Sequence, residues 1–203
     1  MESIMMGLAD CIGTKIPRII AIIPARGGSK RLERKNIFPI WGQPLLCWSI
    51  QAARNSKYIS DIWVTTEDSE IAEIAKSSGA RVHNRSPELA EDHIYKMEAI
   101  RSCFEDINKS ADIVVSLQAN SPEITSDILD DAIKTFIEND RNELMSVGPN
   151  LMQNAAFRIM KGWYVFQKDL STKSGVYACD IHDVHTLDDI EFIKKRNNGQ
   201  SPK

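Results

Sequence analysis

The feature that most constrains this chain is a regular exchange of two periodicities. β-rich apolar runs at 19–23, 61–66, 80–83, 112–117 and 143–147 are separated by segments whose apolar residues recur at helical spacing, at 44–55, 68–78, 92–105 and 126–138. Pro44 suits a first helical turn, and Gly79 ends the second helical segment. Strands alternating with helices specify an α/β fold with a mostly parallel sheet and helices on both faces, and ligands then bind beyond the strands' carboxyl ends. The loop at 24–36 and the turn at 118–123 both leave strands at that edge. Farther along, 156–160 and 163–167 flank Lys161-Gly162 like a hairpin or a small excursion, and after Val176-Tyr177-Ala178-Cys179 and an acidic turn a last helix is expected from Leu187 to about Arg196.

The first strand opens into the segment most suited to chemistry. Ile19 to Ile23 lead through Pro24-Ala25 into Arg26-Gly27-Gly28-Ser29-Lys30-Arg31, and between Arg26 and Lys35 the cations Arg26, Lys30, Arg31, Arg34 and Lys35 face a single acid, Glu33. The whole chain carries a formal net charge of -3, so this positive charge is local and implies a compact anionic partner. Gly27 and Gly28 are expected at positive φ, where backbone N–H groups converge on an oxygen-rich ligand. The spacing is not that of a Walker A loop, and with the next glycine at Gly42 it is not a dinucleotide fingerprint. The plainer alternative is a solvated basic turn.

Composition bounds the remaining classes. A chain of 203 residues that is 42% hydrophobic and 26% charged fits a soluble globular domain with a sizeable core. Residues 1–16 read as an N-terminal extension and 17–203 as the domain, with about 150–177 as a lid or dimerisation excursion. The absence of long basic runs outside the loop argues against nucleic acid as a partner. Cys11, Cys47, Cys103 and Cys179 are widely spaced and read as reduced thiols rather than a zinc cluster or disulfide framework. No apolar run approaches the roughly 20 residues needed to span a bilayer, so no membrane partner is expected and the default location is cytoplasmic.

Four separated blocks together resemble one family. Ile22 to Arg31 with Lys35-Asn36, Arg85-Ser86-Pro87-Glu88-Leu89-Ala90-Glu91-Asp92, Leu117-Gln118-Ala119-Asn120-Ser121-Pro122, and Asp183-Val184-His185-Thr186-Leu187-Asp188-Asp189 are similar, in this order, to motifs of the acylneuraminate cytidylyltransferases. The resemblance runs from about Arg18 to Phe192. It implies a nucleotide-diphospho-sugar-transferase-like fold, usually dimeric, that uses CTP, Mg²⁺ and a 2-keto sugar acid and releases a CMP-sugar and pyrophosphate. It further implies that Arg26 and Lys30 act catalytically on the triphosphate, that Arg26, Gly27, Gly28, Ser29, Lys30, Asn36 and Arg85 bind the nucleotide, and that Gln118 and Asn120 face the sugar. Asp183 matches the metal-binding aspartate. His185 stands where many members carry a second one, although imidazole suits softer metals better than Mg²⁺; Asp188 and Asp189 read instead as capping the last helix.

Other departures bear on the sugar. Glu123-Ile124 replaces the family's common Leu-Arg after Ser121-Pro122, removing a cation near the sugar side. The segment between Val147 and Asp183 is shorter than in many sialate enzymes, which leaves Arg158, Lys161 and Lys173 as unranked partners for the sugar carboxylate. Two alternatives remain open at this stage: the same fold acting on another 2-keto sugar acid such as 3-deoxy-manno-octulosonate, and a non-catalytic nucleotide-binding protein.

Overall fold

A computed structural model describes residues 16–169 and 171–201. Of the extension read over residues 1–16, residues 1–15, with Cys11, lie outside the described residues.

The chain begins with β1 (Ile19–Pro24), followed by the basic loop, a 3₁₀ turn (Lys35–Ile37) and the small ribbon β2 (Pro39–Ile40) and β3 (Gln43–Pro44). Trp41 and Gly42 both have positive φ, 48° and 85°, the backbone that a tight two-residue hairpin requires and that Gly42 adopts at little cost. Then come α1 (Leu45–Asn55), β4 (Ile59–Thr66), α2 (Ser69–Ser77), β5 (Arg81–Asn84), a 3₁₀ turn (Pro87–Ala90), α3 (Lys96–Asp106), β6 (Ile113–Leu117), α4 (Ser126–Glu138) and β7 (Glu143–Val147). The C-terminal part adds β8 (Gln153–Lys161), a 3₁₀ turn (Gly162–Phe166), β9 (Ser174–Ala178) and α5 (Leu187–Arg196).

Seven strands form one sheet in the order β5-β4-β1-β6-β8-β7-β9. All neighbours are parallel except β8, which runs antiparallel to both β6 and β7. The sheet is buried on both faces, which explains why Ile19 to Ile23 is apolar without interruption. Ile19, Ala21 and Ile23 pack with α1, α2 and α4, while Ile20 and Ile22 pack with α3 and with Tyr164 and Val165. A third cluster joins Leu32 of the basic loop, Ile40 and Leu45 to Val184, Ile190 and Ile193, so α5 clamps the loop from outside.

Local chemistry fixes the helix starts. Asp68 accepts the Ile71 amide at 3.0 Å and Thr125 that of Ile128 at 3.4 Å, while Thr186 and Asp189 make a reciprocal capping box. Asp189 thus caps α5, as its spacing indicates.

Two elements differ from the sequence reading. The hairpin across Lys161-Gly162 does not form. β8 already has β6 on one side and β7 on the other, leaving no free edge, and a Cβ on Gly162 would lie 2.5 Å from the Ala111 carbonyl oxygen, so the chain turns there into a 3₁₀ segment. Residues 153–161, within the segment read as a lid or dimer excursion, are an interior strand. The helix expected from about Asp92 starts instead at Lys96, because 87–95 folds over the basic loop.

Candidate active site

β1 has β4 on one side and β6 on the other, so the chain leaves it and returns to it in opposite directions. Such a switch point opens a crevice at the carboxyl edge, and here the crevice is a cavity of about 510 Å³. Three loops wall it. The β1 loop supplies Arg26, Ser29, Lys30 and Asn36, the stretch after β5 supplies Arg85 and Asp92, and the turn after β6 supplies Gln118 and Asn120; His185 comes from the approach to α5. Gly28 borders an adjoining open space next to Ser29 and Lys30. The structure therefore gathers most of the residues singled out by sequence.

The loop's glycines work differently from expectation. Positive φ among the described glycines occurs at Gly42, Gly79 and Gly199, not at Gly27 or Gly28. Gly27 is required for close approach: a Cβ there would lie 2.4 Å from Asp68 Oδ2, and its N–H donates to Glu67 Oε1 at 2.7 Å. The other oxygen of Glu67 accepts from Arg85 Nε and Nη2 at 3.0 and 2.8 Å. Arg85 is 7% exposed, and the partly buried Glu67 links the glycine loop to it. Asn36, equally buried, donates to the Arg26 carbonyl at 2.9 Å and braces the loop from beneath.

The loop cations are not left uncompensated. Arg26 donates to the Ala90 carbonyl at 3.1 Å and meets Asp92 Oδ1 at 2.8 Å, while Lys30 pairs with the other Asp92 oxygen. The Lys30 hydrogen bond, with Arg26 adding to it, holds the Asp92 carboxyl below its usual range. A carboxylate thus sits where two cations converge, at the rim of the cavity. Arg34 is drawn outward to Asp68 and Glu70, which removes it from the site. Burial, then Arg31, pushes Lys35 below the ordinary lysine range, with Asp183 opposing.

On the far wall, Asn120 donates to the Val184 carbonyl at 2.8 Å and its carbonyl accepts the Val184 amide at 2.9 Å, stapling the β6 turn to the segment before α5. Ser121 donates to Asp183 Oδ1. Burial pushes the Asp183 carboxyl up, against the Ser121 bond and the charges of Lys96 and Lys35. His185 Nδ1 lies 3.2 Å from Arg31 Nη2. Guanidinium can only donate, so this nitrogen accepts and the ring is neutral, in keeping with burial and then Lys35 and Arg31 pushing it below the usual histidine range. Among the described residues no group of three or more His, Cys, Asp or Glu side chains is arranged to hold a metal. Asp183 is not among the residues that line the cavity and its Oδ1 accepts from Ser121, so it offers one carboxylate, a donor set that suits an ion whose other ligands come from phosphate and water, and His185 Nδ1 lies against Arg31.

Three positions change their meaning. Glu123 does not face the site: it is 5% exposed, accepts the His182 amide at 2.9 Å and pairs with Asn197 and Arg196 at the end of α5. Lys161 and Lys173 both bind Asp140 at the opposite edge of the sheet, where Lys161 stands level with Ile113 at the start of β6. The sequence reading passed over Glu67, Asp92 and Lys96 as site residues. Lys96 falls inside the helix expected from about Asp92 and stands at a helix start only in the structure, and the role of Glu67 depends on β4 lying beside β1.

With this geometry in place, comparison with known proteins is informative. The sequence pattern described as "Cytidylyltransferase" matches residues 20–194. The chain is 37% identical over 133 residues to the N-acylneuraminate cytidylyltransferase A of Danio rerio, covering 66% of this chain and 31% of that protein. It is 37% identical over 131 residues to a pseudaminic acid cytidylyltransferase of Campylobacter jejuni, covering 63% of this chain and 56% of the relative. The matched region thus spans from under a third to somewhat over half of these relatives. Among solved structures, CMP:2-keto-3-deoxy-manno-octonic acid synthetase complexed with CTP superposes with a TM-score of 0.72 at 14% identity, covering 89% of this chain and 98% of that one. A cytidylyltransferase from Leptospira borgpetersenii gives 0.68 at 20% identity, covering 92% and 98%. These two show the nucleotide-sugar-transferase-like fold. Loop, cavity and sequence pattern agree: this chain belongs to the cytidylyltransferase family.

Proposed function

We propose that this chain transfers CMP from CTP to a carboxylated 2-keto sugar of the nonulosonate class, giving a CMP-sugar and pyrophosphate. The observation that carries the reading is the convergence of Arg26 and Lys30 on one carboxylate, Asp92, beside a cavity also walled by Asn36, Arg85 and Gln118. Where a carboxylate is held by two cations, a phosphate is held better, because it offers more oxygens and more charge. The names of the N-acylneuraminate and pseudaminate relatives support the sugar class.

The sugar's anomeric oxygen bonds to the α-phosphorus as the bond to the bridging oxygen of pyrophosphate breaks, and the hydroxyl proton passes to solvent. Catalysis of this kind rests on in-line positioning and charge neutralisation. Arg26 and Lys30 neutralise the leaving phosphates, Ser29 donates to them, and Asn36 and Arg85 order the wall against which the base and ribose rest. Gln118 presents an amide to the sugar. Mg²⁺ belongs to the reading, held by Asp183, and when bound supplies further charge neutralisation on the triphosphate. The dimer implied by the resemblance and a cytoplasmic location are parts of the same reading, tested by sedimentation and by cell fractionation. Among the described residues no helix is long and apolar enough to cross a membrane.

Replacing Arg26 tests the nucleotide half. Arg26→Ala is expected to raise the KM for CTP about tenfold or more, the equivalent of a lost charged hydrogen bond of roughly 1.5–3 kcal/mol. Unchanged kinetics would remove Arg26 from the site. Asp183→Asn is expected to lower turnover more than CTP binding, and wild-type turnover in that variant would place the metal elsewhere.

A further inference from the structure

Beside the nucleotide cavity lies a second, of about 180 Å³, set against the α3 face of the sheet between the start of α3 and strands β6, β7 and β8. Lys96 and Gln118 line both spaces. A molecule that spans the two passes these side chains.

The charges around the second cavity are not equivalent. Arg158 is already paired, since its Nε donates to the buried Glu143, whose other oxygen accepts from Ser174 at 3.3 Å. Lys96 has no such partner: among the described residues it makes no ion pair and no side-chain hydrogen bond. It is the first residue of α3, where the helix's positive end disfavours a cation. Its surroundings in the cavity wall push its ammonium below the ordinary lysine range, against Asp183 and with a smaller push from Arg158, while its side chain stays exposed to an incoming ligand. Gln118 is held through its backbone, its N–H on the Ala156 carbonyl at 3.0 Å and its carbonyl accepting from Ser49 at 2.6 Å, while its side-chain amide makes no hydrogen bond to the described residues. The junction therefore carries one uncompensated cation beside one uncommitted amide.

We infer that Lys96 is the counter-charge for the sugar acid's carboxylate, with the sugar in the second cavity and its anomeric hydroxyl directed past Gln118 toward the nucleotide. The inference rests on the proposed CTP and 2-keto acid reading and deepens it. In a 2-keto sugar acid the carboxylate and the attacking hydroxyl are on the same carbon, so the carboxylate's partner must stand at the junction of the two spaces. Lys96 does. Arg158 lines the second cavity alone and is paired, and Lys161 and Lys173 lie at the opposite sheet edge on Asp140.

The test measures pyrophosphate release with N-acetylneuraminate and pseudaminate by the wild type, Lys96→Gln and Lys96→Arg, each checked for native folding by circular dichroism. Lys96→Gln is expected to raise the KM for the acid roughly 10- to 100-fold while the KM for CTP stays within about twofold, and Lys96→Arg to recover most of the loss. The methyl ester of the acid should be penalised in the wild type but show no further penalty in Lys96→Gln. An unchanged KM for the acid, or an equal rise in the KM for CTP, would overturn the assignment of Lys96 and leave the transferase reading intact. No pyrophosphate release by the wild type with either acid would overturn that reading, and the inference with it.

Discussion

Glu67 is the side chain on which the site's construction most depends, and its removal has a calculable cost. One oxygen accepts the Gly27 amide at 2.7 Å and the other accepts Arg85 Nε and Nη2 at 3.0 and 2.8 Å. The two side chains are 16% and 4% exposed, so solvent replaces little of what is lost. Glu67→Ala leaves the guanidinium buried without its anion and the Gly27 N–H without its acceptor. Breaking a buried pair from one side costs about 3–5 kcal/mol. In a domain of this size, at roughly 2–4 °C per kcal/mol, the melting temperature should fall by about 6–20 °C. Thermal unfolding followed by circular dichroism measures it. The double variant Glu67→Ala with Arg85→Met should be less destabilised than the sum of the single variants, by about 1–3 kcal/mol, because no orphaned charge remains. A shift under about 2 °C in Glu67→Ala, the behaviour of an exposed ion pair, would refute the reasoning.

Gly27→Ala sets a Cβ 2.4 Å from Asp68 Oδ2 and must displace the residue that caps α2 and anchors Arg34, so urea denaturation should show a loss of about 1–3 kcal/mol. Asp92→Asn frees Arg26 and Lys30 from a competing carboxylate, and calorimetry should show tighter CTP binding; weaker binding would mean that Asp92 organises the cations instead of competing for them. Asp189 titrates below its usual range: burial raises it, but hydrogen bonds from His182, His185 and Thr186 outweigh that. Because the folded pKa is depressed, its contribution is complete above the unfolded value of about 3.9 and is lost as pH falls from there toward the folded value. Asp189→Asn should flatten the stability profile below about pH 4, and an unaltered acid limb would remove Asp189 from the account.

Much of this was legible in the sequence because it is local. Unbroken apolar runs such as Ile19 to Ile23 announce strands buried on both faces, and the apolar spacing at 68–78 and 126–138 and the acids at Asp188 and Asp189 mark helices within a turn of where they lie. The lining of the cavity was legible as well, since Arg26, Ser29, Lys30, Asn36, Arg85, Gln118 and Asn120 follow strand ends that the fold brings to one edge. What sequence did not reveal is pairing across space. Asp92 reaching Arg26 and Lys30, Glu67 joining Gly27 to Arg85, and Glu123 turning away to Arg196 all depend on how loops lie, and no spacing encodes them. The insertion of β8 antiparallel between β6 and β7 was hidden for the same reason, because a strand's direction is set by its neighbours rather than by its residues.

The most direct measurement offers the purified protein ATP, GTP, CTP and UTP in turn, with Mg²⁺ and N-acetylneuraminate or pseudaminate, and follows pyrophosphate. Release with CTP, dependent on the sugar acid and accompanied by a CMP-sugar, is the predicted result. Binding of CTP with no pyrophosphate released for either acid, or release with another nucleotide in preference to CTP, would contradict the account.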